Sequence, residues 1–405
     1  MKRALTAALA IALAFFASDK QRVHAQSFGV DVHNTVNPAS GAMAGTSLAR
    51  PQDLQSAIFG NPSTLAQFRG SQFSIGGAWS EPTFDVTHDG SVTGIPYSGK
   101  SSAQGCLLPT MGAVQDLSSL GIPGSVGAGL TTLSGVSEQF TDQPGSLGTH
   151  TEFLVLGFTL GAGLDLTERL AFGASLTLGD GYAGGGFVSN GVVTHDYGLR
   201  GTFGLDFDLT SNTTLATYYQ TTMPYRFDNL LFLAPPGVFM DVRIDQPENI
   251  GFGIANTSFM GGDLLLAFDV IYKCWDNANY WRDLYEDQWV FSLGTQLTRG
   301  HWKYRLGYSF SDSPIDRNPG ATINGVPLGQ PIVEYYQATQ AGVISQHRLT
   351  GGVGIEDVMP HVSVDLFAGA MLPESHEFGT HTTASLKVWF IGGGVTWKFG
   401  QTCCD

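Results

Sequence analysis

The sequence predicts an all-β protein, a transmembrane antiparallel β-barrel of about fourteen strands. Three observations predict it. Strands with one apolar and one polar face recur from Gly70 onward. The links joining them alternate between short and long. Finally, the hydrophobicity is diluted: charged residues make up 14% of the chain and Gly numbers 53 of 405, while mean hydropathy is only +0.04. Ordinary soluble proteins carry about 25% charged residues and about 7% Gly. No apolar run reaches the roughly 18 residues a spanning helix needs. Apolar residues diluted by period-2 alternation are what a membrane barrel requires.

The chain opens with the layout of a secretory signal over residues 1–25. Lys2 and Arg3 form a charged start, Ala4–Ala17 an apolar core, and Val23-His24-Ala25 a small-residue cleavage site, giving a mature start near Gln26. The core is too short for a membrane anchor, and no Cys lies near the cut to carry a lipid. Residues 26–69 follow. They lack sustained strand alternation and are too few to bury a core of their own, so this segment needs a container.

Residues 70–399 supply the strands. The alternation predicts them near 71–87, 106–117, 124–134, 150–166, 168–180, 195–209, 212–223, 239–256, 263–274, 286–299, 301–311, 346–356, 360–372 and 384–399. Side chains flip face at each strand residue. In Phe153–Leu166, the residues Leu154, Leu156, Phe158, Leu160, Ala162 and Leu164 share one face, with Gly157 and Thr159 on the other. In Gln288–Ser313 the hairpin turns at Arg299–Gly300. Trp289, Phe291, Leu293, Trp302, Tyr304, Leu306 and Tyr308 face one way; Gln288, Ser292, Gln296, Lys303, Arg305 and Ser309 face the other. Thr167, Thr210–Ser211, Arg299–Gly300 and Glu356–Pro360 mark short turns. Longer links lie near 88–105, 135–149, 181–194, 224–238, 275–285, 312–345 and 373–383. Short turns on one side and long loops on the other are the outer-membrane pattern. An even strand count leaves both ends on the short-turn side. The last strand ends in Val395, Trp397 and Phe399, and residues 400–405 form a C-terminal tail with Cys403 and Cys404. Cys106 and Cys274 fall on one side of this layout, which allows a disulfide without requiring it.

The net charge of −15 argues against nucleic-acid partners. No Walker-type loop, Gly-x-Ser-x-Gly or catalytic triad stands out, so no enzyme and no cofactor is expected. His376 and His381 sit near Glu374 and Glu377, but their spacing fits no metal motif. The stretch Pro224–Met240 gathers Phe227, Leu230, Leu231, Phe232, Leu233 and Phe239 in a long link. Such a cluster is either a hydrophobic binding surface or a packing contact with the neighbouring link 181–194, which carries Phe187 and Val188.

Four stretches together resemble the FadL/TodX family of outer-membrane transporters of long-chain fatty acids and aromatic hydrocarbons. They are Gly41–Leu65 (GAMAGTSLARPQDLQSAIFGNPSTL), Gln246–Ala255 (QPENIGFGIA), Asp287–Pro314, and His195–Leu209 with Asn212–Tyr219. The first carries Gly41, Gly45 and the Asn61-Pro62-Ser63 motif, where the family has Ala in place of Ser. The resemblance implies that residues 26–69 are a hatch plugging the lumen. It also implies loop capture of a hydrophobe, a lumenal pocket, and lateral exit at a strand that kinks inward. Asn61 and Pro62 are expected to shape a tight turn in the hatch rather than to touch cargo. Strand parity turns Arg200, Arg243, Lys303, Arg305 and Arg348 inward. A fatty-acid carboxylate would want a guanidinium fork, with Arg305 foremost because it matches the family hairpin. Alternatively these cations pair with Asp206, Asp208, Asp241 and Asp245. The expected protein is a passive, monomeric outer-membrane transporter in contact with outer-membrane lipid and lipopolysaccharide. An aromatic-hydrocarbon channel of the same family, a general porin, an outer-membrane lipase and an adhesive barrel are the alternatives.

Overall fold

The computed structural model describes residues 30–186, 193–233, 238–340 and 345–399. The signal segment, residues 26–29, Phe187 and Val188, and the tail with Cys403 and Cys404 lie outside the described residues.

Fourteen strands form the wall: β1 Ser71–His88, β2 Cys106–Asp116, β3 Gly124–Gln139, β4 His150–Asp165, β5 Leu170–Gly186, β6 Val193–Thr210, β7 Thr213–Gln220, β8 Glu248–Phe259, β9 Leu264–Cys274, β10 Gln288–Arg299, β11 Trp302–Ser311, β12 His347–Met359, β13 Val362–Phe378 and β14 Thr382–Phe399. Each pairs antiparallel with its neighbours in sequence. β14 pairs with β1 from Ser71↔Phe399 to His88↔Thr382, which closes the barrel and removes both sheet edges.

The period-2 facing holds along the wall. Phe158 and Leu160 are exposed on the outside, whereas Thr159 is fully buried and shares a hydrogen bond with Thr177 Oγ1 at 2.7 Å. Leu293, Tyr304 and Leu306 face out, and Gln296, Arg305 and Ser309 face in. Aromatic residues mark both rims of this apolar band. Near the long-loop end Tyr182 donates to Asp180 at 2.9 Å, Tyr219 to Glu248 at 2.9 Å and Trp79 Nε1 to Glu81 at 3.1 Å. At the opposite rim Phe73 packs on Trp397 and Trp302 on Tyr304. Rings anchored by polar partners around an apolar belt suit a bilayer. No helix among the described residues is long and apolar enough to cross a membrane.

Residues 30–69 lie inside the barrel and are almost entirely buried. They run through short 3₁₀ turns at His33–Val36, Gly41–Met43 and Pro62–Gln67, and one helix, α1 Leu54–Phe59. Asp53 caps α1 by accepting from Ser56 N at 2.9 Å, and its other oxygen accepts from Ala39 N and Ser40 N. Asn61 is the analogous cap of the Pro62 turn. Its Oδ1 accepts from Ser63 Oγ at 2.7 Å, and its Nδ2 donates to Leu48 O. Gly45 sits at φ 86°, and a side chain on Gly41 would strike Phe367.

Two sequence expectations change here. Residues 224–233 are a strand and not an outward loop, and 239–256 is not one strand. Met223–Leu233 and Val238–Gln246 pair with each other as a separate hairpin, and Pro247 ends its ladder before β8 begins. Arg200 fastens the ends of this insertion, donating to Thr221 O at 2.9 Å and Pro247 O at 2.8 Å. Cys106 and Cys274 are both free. They sit on β2 and β9, seven strands apart around a fourteen-strand ring, so the disulfide left open by the sequence does not form.

Candidate functional site

The hairpin Met223–Gln246 turns into the barrel mouth. Its inner face carries Met223, Tyr225, Phe227, Val242 and Ile244, all buried. Gly179, Gly181 and Gly198 of β5 and β6 make room for Met223 and Tyr225. Phe153 of β4 meets Tyr225, Phe227 and Trp281 at ring distances of 6.2–6.4 Å. Phe227, Leu230 and Leu231 are therefore buried, as the packing alternative of the sequence reading has it. Alternation within the hairpin buries Phe227 and Leu231; Leu230 is buried out of phase, after Asn229 at φ 56°. Phe239 on the other face is 41% exposed; the side chains of Phe232 and Leu233 lie outside the described residues. A second helix, α2 Gln330–Gln340, roofs this cluster. Tyr335 Oη lies 3.0 Å from Tyr97 Oη and 3.2 Å from Thr149 Oγ1, and Tyr280 donates to Tyr336 Oη at 2.8 Å.

The lumenal cations go to different places. Arg305 is paired with Asp365 at 2.5 Å and donates to Gln296 at 2.7 Å. Lys303 pairs with Glu356 at 2.8 Å. Both line a polar, 310 Å³ vestibule at the short-turn end, beneath α1 and residues 67–69. Arg243 is a correction: it lies on the outer face of the hairpin, its side chain 58% exposed, against Asp245. Parity counted along a barrel strand fails there because the residue is not on one. The partners are mostly other carboxylates than the expected ones. Asp206 instead accepts from Gln67 at 2.5 Å, Asp208 from Thr214, and Asp241 from Arg226.

Arg348 differs from the rest. It is buried on β12, its Nη2 reaches only Met371 Sδ at 3.9 Å, its guanidinium lies 5.7 Å from the Phe390 ring centre, and its Nε has no acceptor. It lies between two small cavities. One, of about 40 Å³, is lined by Asp31, His33, Asp269, Lys273 and Ser292. The other, of about 20 Å³, is lined by Val32, Val36, Ala78, Leu108 and Phe390. Asp31 and Lys273 pair with each other at 2.8 Å, and Asp269 accepts from Ser47 N and Leu48 N. Neither carboxylate is an ion-pair partner of Arg348.

The apolar cavity adjoins a break in the wall. β2 and β3 pair only from Thr110↔Thr131 to Asp116↔Ser125. Above that, β2 continues with β1 up to Cys106, and β3 continues with β4 up to Gln139. Among the described residues no ladder joins Cys106–Pro109 to Leu133–Gln139. Two features make the break. Pro109 has no N–H to give a ladder, and the β3 register shifts between Thr132 and Ser134, a bulge that packs Leu133 against Gly157 on the lumenal side. Ser102 N donates to Gln139 O and closes the break from above. From inside, Val32 N donates to the Leu133 carbonyl at 2.9 Å. Leu107, beside the break, is 64% exposed on the outer face. Sequence reasoning passed over this window, although Pro109 inside an alternating run was its signal.

The class these features define is a closed fourteen-strand barrel with a filled lumen. Among solved structures it is similar to the Pseudomonas putida toluene transporter TodX (18% identity, TM-score 0.65, 90% of this chain and 99% of that one). It is also similar to a Pseudomonas aeruginosa FadL homologue (14%, 0.71, 94% and 100%) and the Ralstonia pickettii toluene transporter TbuX (17%, 0.60, 90% and 98%). At these identities the likeness is one of fold. No protein-family model matches the sequence, and no curated protein matches it.

Proposed function

We propose that the chain is a passive outer-membrane transporter of hydrophobic small molecules, with long-chain fatty acids the foremost cargo. The observation that carries this reading is the window between β2 and β3, opening beside an apolar cavity lined by Arg348, which has no anion of its own among the described residues. A carboxylate drawn to a dry guanidinium gains a charge-assisted bond. Its acyl tail would lie towards Val32, Leu108 and the window, where Val32 N–H must release Leu133 O. Residues 26–69 act as the hatch, and cargo leaves sideways into the bilayer. The filled lumen speaks against a general porin.

The similar TodX and TbuX structures are described as toluene transporters, and the aromatic lining of the mouth favours aromatic hydrocarbons as the second reading. Binding separates the two. Arg348→Gln is expected to weaken long-chain fatty-acid binding by roughly 1.5–3 kcal/mol, the scale of a charged hydrogen bond, and to leave toluene binding unchanged. Undiminished fatty-acid binding in Arg348→Gln removes the head-group role. Toluene binding by the unaltered chain with no measurable fatty-acid binding would favour the aromatic reading.

A further inference from the structure

A cavity of about 30 Å³ lies under α2 at the barrel mouth, walled by Phe153, Leu230, Leu231, Val242, Ile244 and Ile323. Six polar side chains also line it: Thr151, Glu152, Tyr280, Trp281, Asn324 and Tyr336; Tyr280 donates to Tyr336 Oη. Trp281 Nε1, Thr151 Oγ1 and Asn324 Nδ2 are all buried, and none has a hydrogen-bond partner. Trp281 itself is 2% exposed, with its indole locked among Trp275, Tyr280 and Tyr285. An indole N–H can only donate, and a hydroxyl and an amide can donate as well. Buried polar groups are nearly always paired, so three unpaired ones on residues that line one cavity point to an acceptor that belongs there. Glu152 is the one charged residue of the lining, and no Lys or Arg joins it, so the acceptor need not carry a charge.

We propose that this cavity is a subsite for the polar end of a hydrophobe bearing a carbonyl-type oxygen, as in an acid, ester or ketone, and that it selects against bare hydrocarbons. The assignment rests on the transport reading for its cargo class, but not on Arg348 or on the exit window. The cavity as it stands holds only the polar group. The tail would run between Phe153 and the Leu230–Leu231 edge of the hairpin, which must part to admit it. A site built to donate hydrogen bonds rejects the analogue that lacks an acceptor, because its donors are then left unpaired.

The test is equilibrium binding of a long-chain methyl ketone and of the alkane of equal length to the full chain in nanodiscs, with empty nanodiscs subtracted. Thr151→Val removes one donor at nearly constant volume, and Trp281→Phe removes another while keeping an aromatic ring. Each is expected to lower ketone affinity about three- to tenfold, the worth of a neutral hydrogen bond, and to leave alkane affinity unchanged. The fatty-acid reading is tested on Arg348→Gln with a fatty acid, and this one on Trp281→Phe and Thr151→Val with a ketone, so their failures are told apart. Ketone and alkane affinities that fall together in both variants, or do not move in either, overturn the proposal and leave the cavity to water. Should Trp281→Phe fail to fold, Thr151→Val alone decides.

Discussion

His33 shows how one buried residue sets the terms of the lumen. Its backbone is left-handed at φ 48°, and its ring stacks on Tyr218 at 5.9 Å. Burial pushes its pKa down to about 4; Asp31 pulls it up, and Lys273 and Arg200 push it further down. Burial would raise Asp31, but Lys273 and Arg200 outweigh it and hold that carboxyl at about 2. The released segment would titrate at the ordinary values of 6.5 and 3.8. A histidine whose pKa is depressed in the packed form binds protons better when released. Packing therefore weakens as pH falls below about 6.5, levelling off near 4, by up to about 1.4 kcal/mol per pH unit. Asp31 adds its own loss only below about pH 4. Hydrogen exchange at Val32, Thr35 and Val36, corrected for intrinsic rates, is expected to speed up between pH 7.5 and pH 5, and His33→Gln should flatten that change. The same acceleration in the variant would exonerate His33. At this scale the sequence told direction but not partnership. Parity turned Arg305 and Arg348 inward correctly, yet Arg305 is neutralised by Asp365, 60 residues away in sequence, and Arg348 is not. Which carboxylate reaches which cation depends on strand stagger, which alternation leaves open.

At the scale of elements, the glycine excess has a definite use. A methyl on Gly173 or Gly204 would run into Pro62, Ser63 or Asn61, and one on Gly307 into Met43 and Ala44. One on Gly112 or Gly127 would meet Leu54, Ile58 or Leu65. The inner wall is bare where residues 30–69 press their backbone against it. Gly173→Val is therefore expected to cost about 1–3 kcal/mol through overpacking and to loosen the Pro62 turn, while the strand ladders persist. Gly320→Val, on a loop with nothing within 4 Å, is the control. Limited proteolysis near Asn61, together with heat-modifiable gel mobility as a check on the barrel, would read this out; a turn as protected as in the parent would contradict the seating. The strands themselves were legible because burial on one side imposes period 2. Their irregularities were not. The alternation of β3 fades at Leu133 because a bulge changes its phase, so the strand read as ending near residue 134 when it runs to Gln139. The mouth hairpin was absorbed into a loop and a strand because an inward-folded hairpin alternates just as a wall strand does.

The whole molecule combines a self-sufficient wall with a separately anchored filling. The β1–β14 ladder closes without help from the lumen. Barrels of about eight strands are filled by their own side chains, whereas those of 16–18 leave a channel; fourteen leave a space that residues 30–69 take up. Below them an 810 Å³ polar vestibule opens at the short-turn end, lined by Arg50, Gln67, Arg69 and Asp206. Above them the hairpin and α2 cover the mouth. Removing residues 30–69 would cost the wall none of its ladder bonds. It would hand Asp269, Lys273 and Arg348 to water, which solvates them at little cost. The shortened chain is thus expected to insert as a heat-modifiable barrel and to pass ions across a planar bilayer, where the full chain is silent. The mouth cover makes the outcome informative. If the shortened barrel conducts, residues 30–69 are the seal and the mouth is only a gate for cargo. If it stays as tight as the parent, the hairpin and α2 seal the pore unaided, and the lumenal segment serves the cargo path through its Val32 contact with Leu133 instead.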